Sequence, residues 1–182
     1  MTAQKKDLIL IFDTNIFLTG VDFNIFKETI YTTSEIIKEI NVSIYEEKNR
    51  NILNKIQAAL EIKKLIIRNP KDKFLKRIIE KSKETGDHKA LSSQDIGIIA
   101  LGLEFKDSKA QEAKLYTNDY SIQNLCKVLD INFSPLYRDG ISKQIIFEVY
   151  CPFCKLIYKS EYLNELCEKC GSKLKRRPKK IF

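Results

Sequence analysis

The chain has no apolar stretch long enough to span a lipid bilayer, since its longest ones cover only residues 8–12 and 96–103. Near the N-terminus there is no apolar region followed by a cleavage site of small residues, so we expect no signal peptide. These absences argue against a membrane protein and predict a cytoplasmic location. Internal repeats and low-complexity segments are also missing.

Histidine is nearly absent, with His88 as the single example, and it lies far from any recognisable motif. This scarcity argues against hydrolases that use a histidine base and against metal-free ribonucleases that use paired histidines. What is present is the composition of a folded chain, with 43% hydrophobic and 31% charged residues. A chain of 182 residues can bury a core without disulfide bonds.

Basic residues and cysteines are concentrated near the C-terminus. Residues 151–182 hold nine basic and three acidic side chains and four of the five cysteines, whereas residues 1–150 are nearly neutral. Residues 63–89 form a second basic stretch, and two such patches favour a polyanionic partner. A solvated lysine-rich surface is the alternative. The predicted segments are a large domain (1–142), a linker (143–149), a cysteine-rich module (150–175) and a basic tail (176–182).

Apolar patterns in the large domain alternate between those of strands and helices. This alternation predicts an α/β fold with a mostly parallel sheet flanked by helices. The predicted strands are residues 8–12, 30–33, 113–117 and 131–136. The predicted helices begin near Ser34, Asn51, Phe74, Ser92 and Asp119. The apolar stripe of the first of these helices extends to Ile44, and Gly86 is expected to end the third.

The cysteine pattern is the most specific motif of the chain. Cys151 and Cys154 form one C-x2-C pair, and Cys167 and Cys170 form a second pair after twelve intervening residues. Two such pairs can place four thiolates around one structural Zn²⁺, in a closed site with no open coordination position. Two disulfides or a redox dithiol are the alternatives, but nothing indicates an oxidising compartment and a redox motif needs no second copy.

Aromatic and basic residues alternate through the cysteine-rich module, a pattern that suits stacking on unpaired RNA bases together with phosphate contacts. The rings are those of Phe153, Tyr158 and Tyr162. The alternative is that some of these rings form the core of the small module. The residues predicted to bind RNA are Lys155, Lys159, Lys173, Lys175, Arg176 and Arg177.

Four acidic residues of the large domain are candidate metal ligands. Asp13 and Asp119 each follow a predicted strand, and the carboxyl ends of adjacent parallel strands meet at one crevice. Glu39 and Asp95 lie on predicted helices that can face the same crevice. Carboxylates suit Mg²⁺ or Mn²⁺, which can promote phosphodiester cleavage. Each acid also has an ordinary alternative, as a turn, helix cap, capping box or solvated residue.

The segments around these acids resemble the motifs of PIN-domain ribonucleases. The resemblance rests on Asp13-Thr14-Asn15, Glu39 after Thr33, Ser92 with Asp95, and Thr117-Asn118-Asp119. A PIN domain followed by a zinc ribbon is similar to the archaeal Nob (NIN-one-binding protein) family, endonucleases that mature the 3′ end of small-subunit ribosomal RNA. This resemblance covers nearly the whole chain and implies a three-layer α/β/α sandwich with a C-terminal zinc ribbon.

The resemblance also implies roles for individual residues. One or two Mg²⁺ or Mn²⁺ ions would be held by an acidic quartet, with Asp13 as the central ligand, and activated water would leave a 5′-phosphate and a 3′-hydroxyl. The implied partners are precursor ribosomal RNA and the pre-ribosomal small subunit. Glu35, one helical turn before Glu39, is an alternative second ligand. The implied metal ligands are Asp13, Glu39, Asp95 and Asp119. The implied supporting residues are Thr14, Asn15, Ser92, Thr117 and Asn118.

Three other functions compete with this interpretation. A PIN-type toxin acting on other RNAs is one, but such toxins usually lack the ribbon of residues 151–170. A non-catalytic RNA-binding module is the second, and the complete acidic set argues against it. A transcription-type zinc ribbon protein is the third.

Overall fold

The computed structural model of the protein describes residues 8–41, 46–108, 112–137 and 139–182, with only the backbone of residues 46–49. These residues form a five-stranded parallel sheet flanked by helices, followed by a three-stranded antiparallel sheet. The predicted α/β fold class is therefore confirmed. Within these ranges, no helix has both the length and the apolar character that crossing a bilayer requires.

The large sheet explains where a site can form. Its central strand is buried on both faces, with residues 9–12 at most 2% exposed. The strands are β1 (Leu8–Phe12), β2 (Thr29–Thr32), β3 (Leu65–Ile67), β4 (Glu112–Tyr116) and β5 (Phe133–Ser134). They run parallel in the order β3-β2-β1-β4-β5. The chain leaves β1 on one side and returns to β4 on the other, so a crevice opens beyond the carboxyl ends of these strands.

The helices cover this sheet with different patterns of burial. They are α1 (Thr14–Leu18), α2 (Ser34–Ile40), α3 (Glu46–Glu61), α4 (Asp72–Thr85), α5 (Ser93–Ser108) and α6 (Tyr120–Val128). Residues 98–105 of α5 are all buried, so this helix lies in the core, whereas α4 buries one stripe that includes Phe74 and Ile78. Gly86, with φ of 78°, ends α4 as predicted.

Several elements differ from the prediction. The five-residue helix α1 is too short to show a helical period, and β3 follows α3 where the sequence predicts helix to residue 65. Lys63 has φ of 57°, so the chain turns sharply after α3 and can enter β3. Helix α3 begins earlier than predicted, at Glu46, and β5 is only two residues long. Ile44, at the end of the predicted stripe of α2, lies outside the described residues.

The small sheet occupies segments that the sequence assigns to a linker and a tail. It contains β6 (Ile145–Tyr150), β7 (Ile157–Tyr158) and β8 (Lys175–Ile181), antiparallel in the order β7-β6-β8. Most of the predicted linker is therefore β6, and most of the predicted basic tail is β8. An edge strand tolerates both Pro178 and a row of exposed charges, which explains why a tail-like composition forms a strand here.

Candidate active site and metal centre

Two of the candidate acids lie at neighbouring strand ends. Phe12 pairs with Tyr116 at the last position shared by β1 and β4, and the Asp13 N–H donates to the Tyr116 carbonyl over 3.2 Å. Asp13 follows β1 directly, and Asp119 follows β4 after two residues. The parallel pairing therefore brings both acids to the crevice where the strand order reverses.

Asp13 is held rigidly by its neighbours. Only 3% of the residue is exposed, and it also caps helix α1. Its Oδ2 accepts hydrogen bonds from Asn15 Nδ2 at 2.6 Å and Thr117 Oγ1 at 2.7 Å, while Oδ1 accepts one from the Thr14 N–H at 2.7 Å. Since a carboxylate oxygen has two acceptor positions, Oδ2 is fully used and Oδ1 retains one for a cation.

Burial raises the pKa of Asp13 to about 7, and the nearby carboxylates of Asp95 and Asp119 add to this effect. The hydrogen bonds from Thr117 and Thr14 oppose it. Near neutral pH this carboxyl group therefore retains a proton unless a positive charge stabilises its anion. A divalent cation at the crevice would supply that charge, so the donor set fits such an ion.

Glu39 is joined to this cluster, whereas Glu35 is not. The Thr14 hydroxyl donates to Glu39 Oε2 over 2.6 Å, which links α2 to the first residue of α1. Glu35 instead pairs with Lys38 at 2.7 Å, with half of its side chain exposed. Contact with the cluster therefore favours Glu39 over Glu35 as the second acid.

Asp95 and Ser92 form a reciprocal capping box at the start of α5. The Ser92 N–H donates to Asp95 Oδ2 over 2.7 Å, and the Asp95 N–H donates to Ser92 Oγ over 3.2 Å. Burial raises the pKa of Asp95, and the carboxylates of Asp119 and Glu39 raise it further. Asp95 therefore lies within electrostatic range of acids on both α2 and the segment before α6.

Asp119 caps α6 through one oxygen. Its Oδ1 accepts hydrogen bonds from the Ser121 N–H at 2.6 Å and the Ile122 N–H at 3.2 Å. The Thr117 hydroxyl accepts from the Asp119 N–H at 3.1 Å while donating to Asp13, so one side chain joins the two acids.

Asn15 and Asn118 complete the connection between the two strand ends. Asn15 Nδ2 donates to Asp13, and its Oδ1 accepts from the Asn118 N–H at 3.0 Å. Asn118 Oδ1 in turn accepts from the Leu136 N–H at 2.9 Å. These residues position the site through backbone and side-chain contacts.

The structural and the metal-binding interpretations of the acids are compatible. Among the described residues, hydrogen bonds engage only one carboxylate oxygen each of Glu39, Asp95 and Asp119. The other oxygen of each group is left for a ligand. In the described part of the chain, the acids do not form a group of three or more as compact as a metal site, whereas the four cysteines do.

The four cysteines form a compact group. Their sulfur atoms all lie within 4.8 Å of one another, with Cys151 and Cys170 at 3.4 Å and Cys154 and Cys167 at 3.5 Å. The Tyr158 hydroxyl lies 3.1 Å from Cys167 Sγ and lowers the pKa of this thiol to about 6. Four converging sulfurs with one thiolate already favoured can hold a single metal ion.

Two matching turns direct these sulfurs. The Lys155 N–H donates to the Cys151 carbonyl at 3.0 Å, and the Gly171 N–H donates to the Cys167 carbonyl at 2.8 Å. Lys155 and Gly171 both have positive φ, 65° and 71°. Glycine adopts this left-handed conformation without steric cost at Gly171, and Lys155 adopts the same conformation in the first turn.

The predicted RNA-binding residues separate into two groups. Arg177 pairs with Glu148 within the small sheet at 2.8 Å. The side chain of Arg176 is only 28% exposed and pairs with the fully buried Asp87 of the large domain at 3.0 Å. The guanidinium of Arg176 therefore joins the small sheet to the large domain, and its predicted contact with RNA stays a prediction. The exposed group is Lys155, Lys159, Lys173 and Lys175.

The aromatic rings of the small module also separate. Tyr158 packs against its core and contacts Cys167, whereas Phe153 is 77% exposed. Sequence reasoning missed Asp87 and its partner Asn124, because a single acid after a helix carries no motif. Only its burial beside an arginine 89 positions later distinguishes Asp87.

Comparison with known proteins defines the class of the chain first. Residues 10–105 match the family of PIN domains of ribonucleases. The matched range includes Asp13, Glu39 and Asp95. With its parallel sheet and acidic crevice, the large domain is a PIN domain.

The relatives then define the family more narrowly. Endoribonuclease Nob1 of Methanocaldococcus jannaschii is 34% identical over 93% of this chain and 77% of its own length. Endoribonuclease Nob1 of Pyrococcus abyssi is 27% identical over 95% of this chain and 96% of its own length. Ribonuclease VapC1 of Thermoplasma acidophilum is 27% identical over 93% of this chain and 78% of its own length. The chain belongs to the Nob1 family.

Proposed function

We propose that this protein is a metal-dependent endoribonuclease that matures the 3′ end of small-subunit ribosomal RNA in the pre-ribosomal small subunit. The observation that carries the proposal is the buried Asp13, held by three hydrogen bonds beside the other carboxylates of the crevice. Membership of the Nob1 family supports the reaction class.

The acidic quartet would hold one or two Mg²⁺ or Mn²⁺ ions. A cation bound there supplies Lewis-acid activation and stabilises the charge that develops on the phosphate during hydrolysis. Asn15 and Thr117 hold Asp13 through Oδ2, which leaves an acceptor position on Oδ1, and Ser92 orients Asp95. Cleavage would leave a 5′-phosphate and a 3′-hydroxyl.

The small module would bind RNA beside this site. One structural Zn²⁺ on the four cysteines would hold its two turns together. The exposed ring of Phe153 would stack on an unpaired base, and the four exposed lysines would contact phosphates. In this arrangement the nuclease domain ends near residue 142 and the ribbon begins with β6.

A cleavage assay with Mn²⁺ tests the proposal. The substrate is an RNA that spans the 3′ end of small-subunit ribosomal RNA and its downstream spacer, with a scrambled RNA in parallel. We expect one cut at the mature end, lost in Asp13→Asn. Asp107→Asn is the matched control, because Asp107 is exposed and pairs with Arg77 on the outer surface.

The outcomes distinguish the competing functions. Equal cutting of both RNAs would favour a ribonuclease of broader specificity, such as the toxin class. Tight RNA binding without any metal-dependent cutting would favour the non-catalytic binding module and return the acids to structural roles.

A further inference from the structure

The small sheet is packed directly against the large domain at the end of α4. A Cβ atom at Gly86 would collide with the backbone carbonyl of Phe147 in β6, so the two backbones touch at a position that only glycine permits. Ser160 Oγ also donates to the Lys83 carbonyl at 3.3 Å. The ribbon therefore has a defined interface with the nuclease domain.

A buried ion pair lies in this interface between the small sheet and the large domain. Asp87 is fully buried and accepts hydrogen bonds from Arg176 Nη1 at 3.0 Å and Asn124 Nδ2 at 2.8 Å. The Arg176 guanidinium also stacks on the Phe147 ring, 4.4 Å from its centre. A buried charge is tolerated only when it is paired, so separating the two sheets would leave Asp87 without its counter-ion.

The second terminal nitrogen of the Arg176 guanidinium contacts α6, the helix that Asp119 caps. Arg176 Nη2 donates to Ser121 Oγ at 3.1 Å, and the Ser121 N–H donates to Asp119 Oδ1 at 2.6 Å. Arg176 thus contacts the residue whose backbone holds the fourth acid of the crevice.

Helix α6 is also tied to the chain that leads into the ribbon. Asn124 holds both the N–H and the carbonyl of Ile145, each at 2.8 Å. Gln123 accepts from the Ile141 N–H at 2.9 Å and donates to the Thr117 carbonyl at 3.0 Å. Thus α6 carries Asp119 at its start and anchors the small module one turn later.

We propose that Arg176 is a positioning residue for cleavage: the docked ribbon fixes the first turn of α6, and with it Asp119, through the contacts of Arg176 with Asp87 and Ser121. The ribbon then contributes to the chemical step as well as to RNA binding. This inference rests on the proposed endoribonuclease function and adds a second role for the ribbon.

The matched pair Arg176→Ala and Lys179→Ala tests the inference. Both remove one positive charge from β8, but Lys179 is exposed at the surface of the small sheet. Single-turnover cleavage is measured at saturating RNA while Mn²⁺ is varied. We expect Arg176→Ala to slow cleavage by about 10- to 100-fold and to require more Mn²⁺, as supporting residues of metal ligands do. Lys179→Ala should stay within about threefold at saturating RNA, because it removes an exposed charge and leaves the contacts with Asp87 and Ser121 intact.

Two further variants separate positioning from simple attachment. Asp87→Asn keeps the side-chain shape within the large domain but removes the charge, so it should slow cleavage while the ribbon sequence is intact. Arg176→Lys keeps the positive charge that Arg176→Ala removes. A lysine cannot bridge Asp87 and Ser121 as the guanidinium fork does, so the cleavage rate should stay as low as in Arg176→Ala. Zinc content and thermal unfolding are measured for every variant.

The result that overturns the inference is a rate at saturating RNA that neither Arg176→Ala nor Asp87→Asn lowers, with only RNA affinity changed. Wild-type protein that binds but does not cut would instead refute the proposed function itself, so the two failures are distinguishable.

Discussion

The thiols of the small module come from two four-residue segments, whereas the carboxylates of the crevice come from four segments spread between residues 13 and 119. The sulfurs converge within 4.8 Å because local turns direct each pair. The acids stay further apart, and each is held by its own strand end or helix start.

This difference agrees with the function that we propose for each centre. A structural site gains stability from closing around its ion, so short local motifs are sufficient. A catalytic site must hold ionised groups of like charge near one another without collapsing, and only a rigid scaffold can do that. The carboxylates therefore occupy strand ends and helix caps that the fold needs in any case.

The largest expected effect is loss of the proposed zinc centre. Cys151→Ser combined with Cys167→Ser removes a ligand from each turn, and a structural zinc site contributes about 10–16 kcal/mol to folding. We expect the small sheet to unfold and zinc content to fall to background, measured by metal analysis and proteolysis. The helices of the large domain should persist in circular dichroism. Cys126→Ala is the control, since this buried thiol lies in the other core and its loss should leave zinc bound.

The acids of α2 provide a sharper test on the carboxylate side. Glu39→Gln removes a charge that contacts Thr14, and we expect cleavage to fall by about 10- to 100-fold. Glu35→Gln, one turn earlier and paired with Lys38, should cleave within about twofold of wild type, because exposed pairs contribute little. Equal losses in both variants would contradict the assignment of Glu39.

Acid pH should weaken the carboxylate site. Because the pKa of Asp13 is raised to about 7, a cation must displace a proton below that pH. The Mn²⁺ concentration for half-maximal cleavage should therefore rise by about fivefold between pH 7 and pH 6. Unchanged Mn²⁺ dependence over this range would show that Asp13 is ionised throughout.

The same pKa predicts a stability effect in protein free of Mg²⁺ and Mn²⁺. Between about pH 4 and pH 7 the native state retains the Asp13 proton, whereas the unfolded state loses it. The stability that this protonation contributes to the native state is therefore present at acid pH and is lost as the pH rises through about 7. Denaturant unfolding of wild type should show this decline relative to Asp13→Asn, which cannot titrate there. If the free energies of unfolding of wild type and Asp13→Asn changed with pH in parallel, this prediction would be wrong.

The smallest expected effect concerns the surface of the ribbon. Lys173→Ala and Lys175→Ala each remove one exposed charge, so each should lower RNA affinity similarly for all sequences and reduce the salt-dependence slope by about 1. The measurement is RNA binding at several salt concentrations. Lys106→Ala, which removes a lysine paired with Asp130 on the large domain, should leave the slope unchanged.

Much of the fold was predictable because its signals are local. Strand β1 is a short apolar run, and β4 alternates charged with apolar or aromatic residues. Gly86 and Asp119 mark helix ends by their own conformational preferences. Strand β8 was not predictable from its composition, since seven residues rich in Lys and Arg become a strand only by pairing with β6. The five-residue α1 and three-residue β3 are too short for any period to appear.

The candidate site shows the same division. The positions of Asp13 and Asp119 follow from where strands end, and the C-x2-C pairs carry their geometry in their spacing. The choice between Glu35 and Glu39 required the contact with Thr14, because helical spacing places both acids on one side.

The sequence by itself determined strand β1, the longer helices of the large domain, the local turns around the cysteines and the acids that follow the central strands, since these depend on neighbouring residues along the chain. Only the tertiary structure decided that the ribbon sits on α4 and α6, and that Arg176 pairs with Asp87 instead of facing solvent. The physical reason is distance along the chain: a buried ion pair between residues 87 and 176 depends on how two sheets pack, and no local preference encodes it.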